Sequence, residues 1–310
     1  MTMLSRVAER LFWCARYLER AEGVARLCAA YNHLVLDIPK GHEPGWQILI
    51  HTLDVGDDYL NLHRSYNERG IFRFLIANPK QGSSIHFAIS AVRENIRTTR
   101  DVLPEEAWEY INELYLYSQE MAERSIGRRN RFEYLERVIT GCQMFNGLVL
   151  STLPRDHAYR FIKLGSLLER ADMATRVIDV GAAQIVNREM DDPTVEPLLW
   201  SNLLKSLSAI GAYRQAVGPL VNANEVIDFV FRELTLPRSV RFCLNGIHEE
   251  LLALPDHHPT THLINRLIVQ VQEFNAEQMN FEQVHEFIDE FQLQLTEVSH
   301  RILHTWCRIT

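Results

Sequence analysis

Arg16-Tyr-Leu-Glu-Arg-Ala-Glu22 returns 150 positions later as Ser166-Leu-Leu-Glu-Arg-Ala-Asp172. The same shift relates Arg10 to Arg160, Glu19 to Glu169, Arg20 to Arg170, Glu22 to Asp172 and Arg26 to Arg176. Leucines recur in any amphipathic helix, so a repeat of charges inside apolar helices is the more telling pattern. Further along, Trp46, Leu49, Leu53 and Tyr59 recur 154 positions on as Trp200, Leu203, Leu207 and Tyr213. Phe74, Ser84 and Phe87 recur 155 positions on as Phe229, Ser239 and Phe242. The slow drift is that of a duplication with a few inserted loop residues. The expected architecture is an all-α, internally duplicated multi-helix bundle. Two pseudo-twofold-related halves, near 1–152 and 153–310, would fuse into a single domain spanning 1–310.

The apolar residues follow a helical period, and strand-like alternation is rare. Long helices are expected near 4–37, 46–65, 83–101, 105–127, 131–151, 155–188, 195–216 and 281–307. Shorter ones fit near 223–234, 238–254 and 260–275. Breaks are expected near 39–44, 78–82, 104, 127–130, 154, 191–197, 236–237 and 255–259, several with Pro in a first helical turn.

On the first helix, Val7, Leu11, Cys14, Leu18 and Ala25 share one arc, the expected core face. Arg6, Glu9, Arg10, Trp13, Arg16 and Arg20 fall opposite. Glu19, Glu22 and Arg26 sit inside or beside the apolar arc, and Glu169, Asp172 and Arg176 repeat that phase. An unpaired ion turned toward a core costs several kcal/mol, so these charges require partners. One reading is a structural ion network, with Glu22 and Arg26 pairing within the helix and the two clusters meeting between the halves. The other is a polar pocket at the junction that takes an anion or a peptide end.

Asn78, Ser84, Arg93, Arg97 and Arg100 form a second candidate surface for an anion or a partner. The three arginines share one helical stripe, which reads either as an anion-binding edge or as a salt-bridged solvated face. The related segment around Pro237 and Ser239 lacks the triple arginine, so binding there would be asymmetric. No metal site is expected. Glu282-x-x-His285 has no repeat-related copy, and a di-iron bundle requires two such motifs and two further Glu. His300, His304 and the His257-His258 pair carry no complete ligand set.

The 310 residues are 46% apolar and 23% charged, with a net charge of −8, which disfavours general nucleic-acid binding. Five scattered cysteines, never in Cys-x-x-Cys spacing, fit reduced thiols in a cytosol. No secretory leader or membrane span is legible. Phosphate-loop, dinucleotide and nucleophile-elbow motifs are lacking. No cofactor is therefore expected. Whether the chain is an enzyme stays open, leaning toward no intrinsic activity.

Several ordered motifs together resemble the bacterial alpha-E domain family over nearly the whole chain. They are Met3-Leu-Ser-Arg-Val-Ala-Glu-Arg-Leu-Phe-Trp13, Arg16 to Glu22, Ala91-Val-Arg-Glu-Asn-Ile-Arg97, Trp108-Glu-Tyr-Ile-Asn112, Leu164-Gly-Ser-Leu-Leu-Glu-Arg-Ala-Asp-Met173 and Leu236-Pro-Arg-Ser-Val-Arg-Phe242. The chain departs from the pattern at Ser166, which stands where the first copy has Arg16, and in a longer loop after Asn78. The resemblance implies a cytoplasmic helical companion of a circularly permuted ATP-grasp protein, often with a transglutaminase-like cysteine protease. Such a system would form or modify peptides. The ATP-grasp partner would supply the nucleotide chemistry, while this chain positions an acceptor or assembles the complex. The alternative is an enzyme, or a small-anion or peptide-binding protein, that uses the Glu/Arg pocket. Neither nucleic acid nor membrane is an expected partner, and homo-oligomerisation through the amphipathic helices stays open.

Overall fold

The computed structural model describes residues 5–39, 45–186 and 195–307. The described residues form fourteen α-helices and no strands. The first seven are α1 (Ser5–Asp37), α2 (Ile48–Thr52), α3 (Gly56–Leu62), α4 (Glu68–Phe72), α5 (Ile85–Arg97), α6 (Glu105–Met121) and α7 (Arg128–Thr152). The second seven are α8 (His157–Val186), α9 (Val195–Ser206), α10 (Ile210–Ala216), α11 (Ala223–Arg232), α12 (Val240–Leu252), α13 (His258–Glu273) and α14 (Phe281–Trp306). The breaks expected near 39–44 and 191–197 fall mostly outside the described residues, as does the start of the first helix at residue 4.

The two longest helices, α1 and α8, are also the central ones. Both are rich in Ala, Leu and Arg, strong helix formers. They lie against each other, Gly165 beside Phe12 and Ala15, and Gly23 beside Met173. These contacts advance together along both helices, so α1 and α8 run in the same direction. The approach is close: a Cβ built on Gly165 would lie 2.3 Å from the Phe12 carbonyl oxygen. Glycine is what lets the two backbones meet there. Around this pair, α1 packs against α5, α7 and α9, while α8 packs against α12, α14 and α2. Buried apolar side chains from Ala8 to Cys307 form one continuous cluster.

Two helices expected to be continuous are broken. The 46–65 stretch divides into α2 and α3 at Asp54, whose φ is 52°. The 195–216 stretch divides into α9 and α10 at Ser208, whose φ is 55°. Apolar periodicity carries through both kinks, because one left-handed residue redirects a helix without changing which residues are apolar. The helix expected over 83–101 ends at Arg97, and a short 3₁₀ turn follows at Arg100–Val102. The sequence reading also missed α4 and the π-helical turn after it, Arg73–Ala77. Asn67 and Asn222 cap α4 and α11, each accepting a bond from the backbone N–H three residues on.

Candidate functional site

Glu19 and Glu169 lie in the joint between α1 and α8, only 3% and 2% exposed. Each is held from the other helix, Glu169 by two arginines and Glu19 by one. Glu169 Oε2 accepts from Arg16 Nε at 2.7 Å, and Glu169 Oε1 from Arg20 Nε at 2.5 Å. Glu19 Oε1 accepts from Arg170 Nη2, from Ser166 Oγ at 2.8 Å and from Asn146 Nδ2 at 3.3 Å. The two Glu-Arg dipeptides thus exchange partners, Glu19 with Arg170 and Glu169 with Arg20. Burial by itself pushes both carboxyls up. The arginines and the hydrogen bonds outweigh it and hold Glu19 and Glu169 down at about 2. Burial likewise opposes the Arg170 charge, and Glu19 more than offsets that, raising the Arg170 pKa.

One turn further along α1, Glu22 is 1% exposed. Its Oε1 accepts from Arg26 Nε at 2.8 Å and from Arg238 Nη2 at 2.6 Å. Arg26 Nη1 also donates to Ser208 Oγ at 2.7 Å. On α8, Arg176 Nε donates to Asp172 Oδ2 at 2.9 Å, and Arg176 Nη1 lies 3.9 Å from Asp54 Oδ2. Both arginines therefore reach the left-handed residue of a kink, Ser208 or Asp54.

All six residues of the first candidate pocket thus gather along the α1–α8 joint, though in two groups. Glu22 and Arg26 line an open cleft of about 380 Å³, together with Gln143, Arg170, Ser208 and Arg238. Glu19 lies behind its wall, joined to Arg170. Glu169 is enclosed by Arg16 and Arg20, and Asp172 pairs with Arg176. The two sides differ because Ser166 replaces an arginine beside Glu19, whereas Arg16 fills the matching position beside Glu169. Three buried polar atoms at the joint have no hydrogen-bond partner: Glu19 Oε2, Glu22 Oε2 and Arg170 Nε.

The arginine stripe of α5 does not converge. Arg93 donates to Asn112 Oδ1 at 2.8 Å and lies over the Trp108 and Tyr115 rings. Arg97 forms a two-bond pair with Glu94, at 2.7 and 2.9 Å. Arg100 stacks on Trp108, 3.7 Å from the ring centroid. Stacking and local pairing occupy these guanidiniums, so they are not pooled around one anion. Ser84 is buried at the start of α5. The Asn78 side chain accepts from the Lys80 backbone N–H at 3.0 Å, which shapes its loop.

A family described as a predicted alpha-helical domain with a conserved ER motif, Alpha-E, matches residues 3–307. The chain belongs to the Alpha-E family. No curated protein and no solved structure matches it significantly. Glu19-Arg20 and Glu169-Arg170 are the two Glu-Arg dipeptides that this Alpha-E chain buries in its central joint.

Sequence reasoning missed four arginines of the Alpha-E site, Arg16, Arg20, Arg170 and Arg238. By helical period Arg16 and Arg20 fall on the face away from the core. They instead reach across to Glu169, because α1 is packed on several sides and has no single solvent face. Their presence in the repeated phrase was the available signal. Arg238 was noted only within its motif, and its pairing with Glu22 spans 216 residues, beyond any periodicity. Among the described residues Asp179, His285 and Asp289 also cluster, their donor atoms within 4.8 Å of one another. His285 Nδ1 is 2.6 Å from Asp179 Oδ1, and its Nε2 is 3.6 Å from Asp289 Oδ2. The hydrogen bond to Asp179 raises the His285 pKa and ties α14 to α8. No described helix is long and apolar enough to cross a membrane.

Proposed function

We propose that this protein is a non-catalytic helical companion of an ATP-grasp peptide ligase system, holding a small acceptor in the cleft beside Glu22. The observation that carries the reading is the cleft, where three guanidiniums converge with two carboxylates beside them. Such groups bind and orient a polar ligand, and the nucleotide chemistry is left to the partner. The association with a circularly permuted ATP-grasp protein, a transglutaminase-like protease and a cytoplasmic setting is what membership in this kind of family suggests. The enzyme alternative is weaker, because a general base works best with a pKa near the operating pH. Glu19 and Glu169, at about 2, are far too acidic for that task. The test is ATP consumption by the ATP-grasp protein with and without this chain. The chain alone should consume none, and its addition should stimulate turnover. ATP turnover by the chain alone, or no effect on its partner, would overturn the proposal.

We also propose that the molecule is an internal duplication, with repeats near 1–152 and 153–310 fused into one body about a pseudo-twofold axis. Sequence-equivalent pairs support this. Glu19–Arg170 and Glu169–Arg20 exchange partners. Ala15 faces Gly165, and Gly23 faces Met173. The kinks at Asp54 and Ser208, and the helix caps at Asn67 and Asn222, also fall at equivalent positions.

A further inference from the structure

The cleft beside Glu22 has more donor charge than its own carboxylates use. Arg26, Arg170 and Arg238 converge on it, against Glu22 in its wall and Glu19 behind. Arg238 Nη2 is spent on Glu22, but its Nη1 is 3.7 Å from Glu19 Oε2, too long for a hydrogen bond. Arg170 Nε is buried without an acceptor. The opposite lack occurs on the same wall. Glu22, a side chain 2% exposed, leaves Oε2 without a donor, although its Oε1 takes both arginines. Buried charged groups with open valences are costly, and a ligand that satisfies both kinds is favoured. The volume of about 380 Å³ is at the low end of the roughly 300–1,000 Å³ typical of small-molecule sites.

We infer that this cleft binds a free α-amino acid, its carboxylate taken by Arg170 and Arg238 and its ammonium by Glu22. The inference rests on the reading of the cleft as an acceptor site and names the class of acceptor. A simple anion would satisfy the guanidiniums and leave Glu22 Oε2 bare. An amine alone would do the reverse. A zwitterion with the two groups on one carbon answers both gaps. Gln143 is exposed on the rim and makes no hydrogen bond to the described residues, so its amide is free to contact the ligand. Arginine forks suit carboxylate recognition for their paired donors.

The experiment is isothermal titration of the full chain with L-alanine, L-glutamate, N-acetyl-L-alanine, L-alaninamide and inorganic phosphate. A free amino acid should bind at least about tenfold more tightly than either capped form or phosphate. The Gln143→Glu variant, which breaks no contact in the fold, should weaken that binding severalfold at an unchanged Tm. Arg238→Gln should abolish it. No binding of either free amino acid, capped alanine binding as tightly as alanine, or phosphate binding as tightly would overturn the inference. The ligase assay is separate. Amino-acid binding without stimulation of the ligase leaves the site standing and removes the companion role. Stimulation without amino-acid binding does the opposite.

Discussion

Gly165 is where one atom decides whether the two central helices can meet. A Cβ there would stand 2.3 Å from a backbone oxygen of α1, which no side-chain rotation relieves. Gly165→Ala should destabilise the protein by about 2 kcal/mol or more, as overpacking does, with the loss read from denaturant unfolding. The buried glutamates make a pH prediction. In the native state Glu19 and Glu169 titrate at about 2, against about 4.3 for an unperturbed Glu. The unfolded chain therefore binds their protons first as the pH falls. Their stabilisation is complete above about pH 5 and is lost on descent toward pH 2, on the order of 2–3 kcal/mol for each carboxylate. Equilibrium unfolding should show that loss, and a flat profile between pH 5 and 3 would contradict the ion-pair account. All five cysteines are buried, and burial pushes the Cys14, Cys28 and Cys243 thiols up to about 12. A thiol reagent should find none reactive in the native protein and all five in denaturant. At this scale the sequence was informative wherever a charge broke an apolar arc, as Glu19, Glu22 and Arg26 do. It was silent on Arg238, whose partner is set by tertiary packing alone.

Helix periodicity located the elements but not their kinks. Asp54 and Ser208 are polar residues inside otherwise regular stretches, and neither is a glycine. A left-handed conformation at either position costs energy that glycine would not spend. Asp54→Gly should therefore be neutral to stabilising, by up to about 1 kcal/mol, because the Asp54 side chain is exposed and only grazes Arg176 at 3.9 Å. Ser208→Gly relieves the same backbone but removes the hydroxyl that Arg26 bonds at 2.7 Å, so it should gain less. Paired thermal melts compare the two, and equal gains would mean that the Arg26 bond contributes nothing. The arginine stripe of α5 shows the opposite limit of sequence reading. Its spacing was correct, yet Glu94 of α5 itself takes Arg97, while Trp108, Asn112 and Tyr115 take up Arg93 and Arg100 through the packing of α6 beside it.

Across the whole molecule, the all-α class was legible because apolar periodicity runs almost the full chain. The crossed arrangement was not. Here α9 packs on α1 and α2 packs on α8. Nothing in a helical period says which long helix a later helix will choose. The exchange also explains why the Glu-Arg phrase must occur twice: each dipeptide supplies the carboxylate for one pair and the guanidinium for the other. The two phrases differ at three places, Arg16 against Ser166, Tyr17 against Leu167 and Glu22 against Asp172, and of these six residues Glu22 lines the cleft. The proposed role then rests on a partner that brings ATP chemistry to a ligand held there. Co-purification of the full chain with its circularly permuted ATP-grasp protein at micromolar concentrations tests this most directly. The account predicts a stable complex, whereas two proteins that elute separately at those concentrations would contradict it.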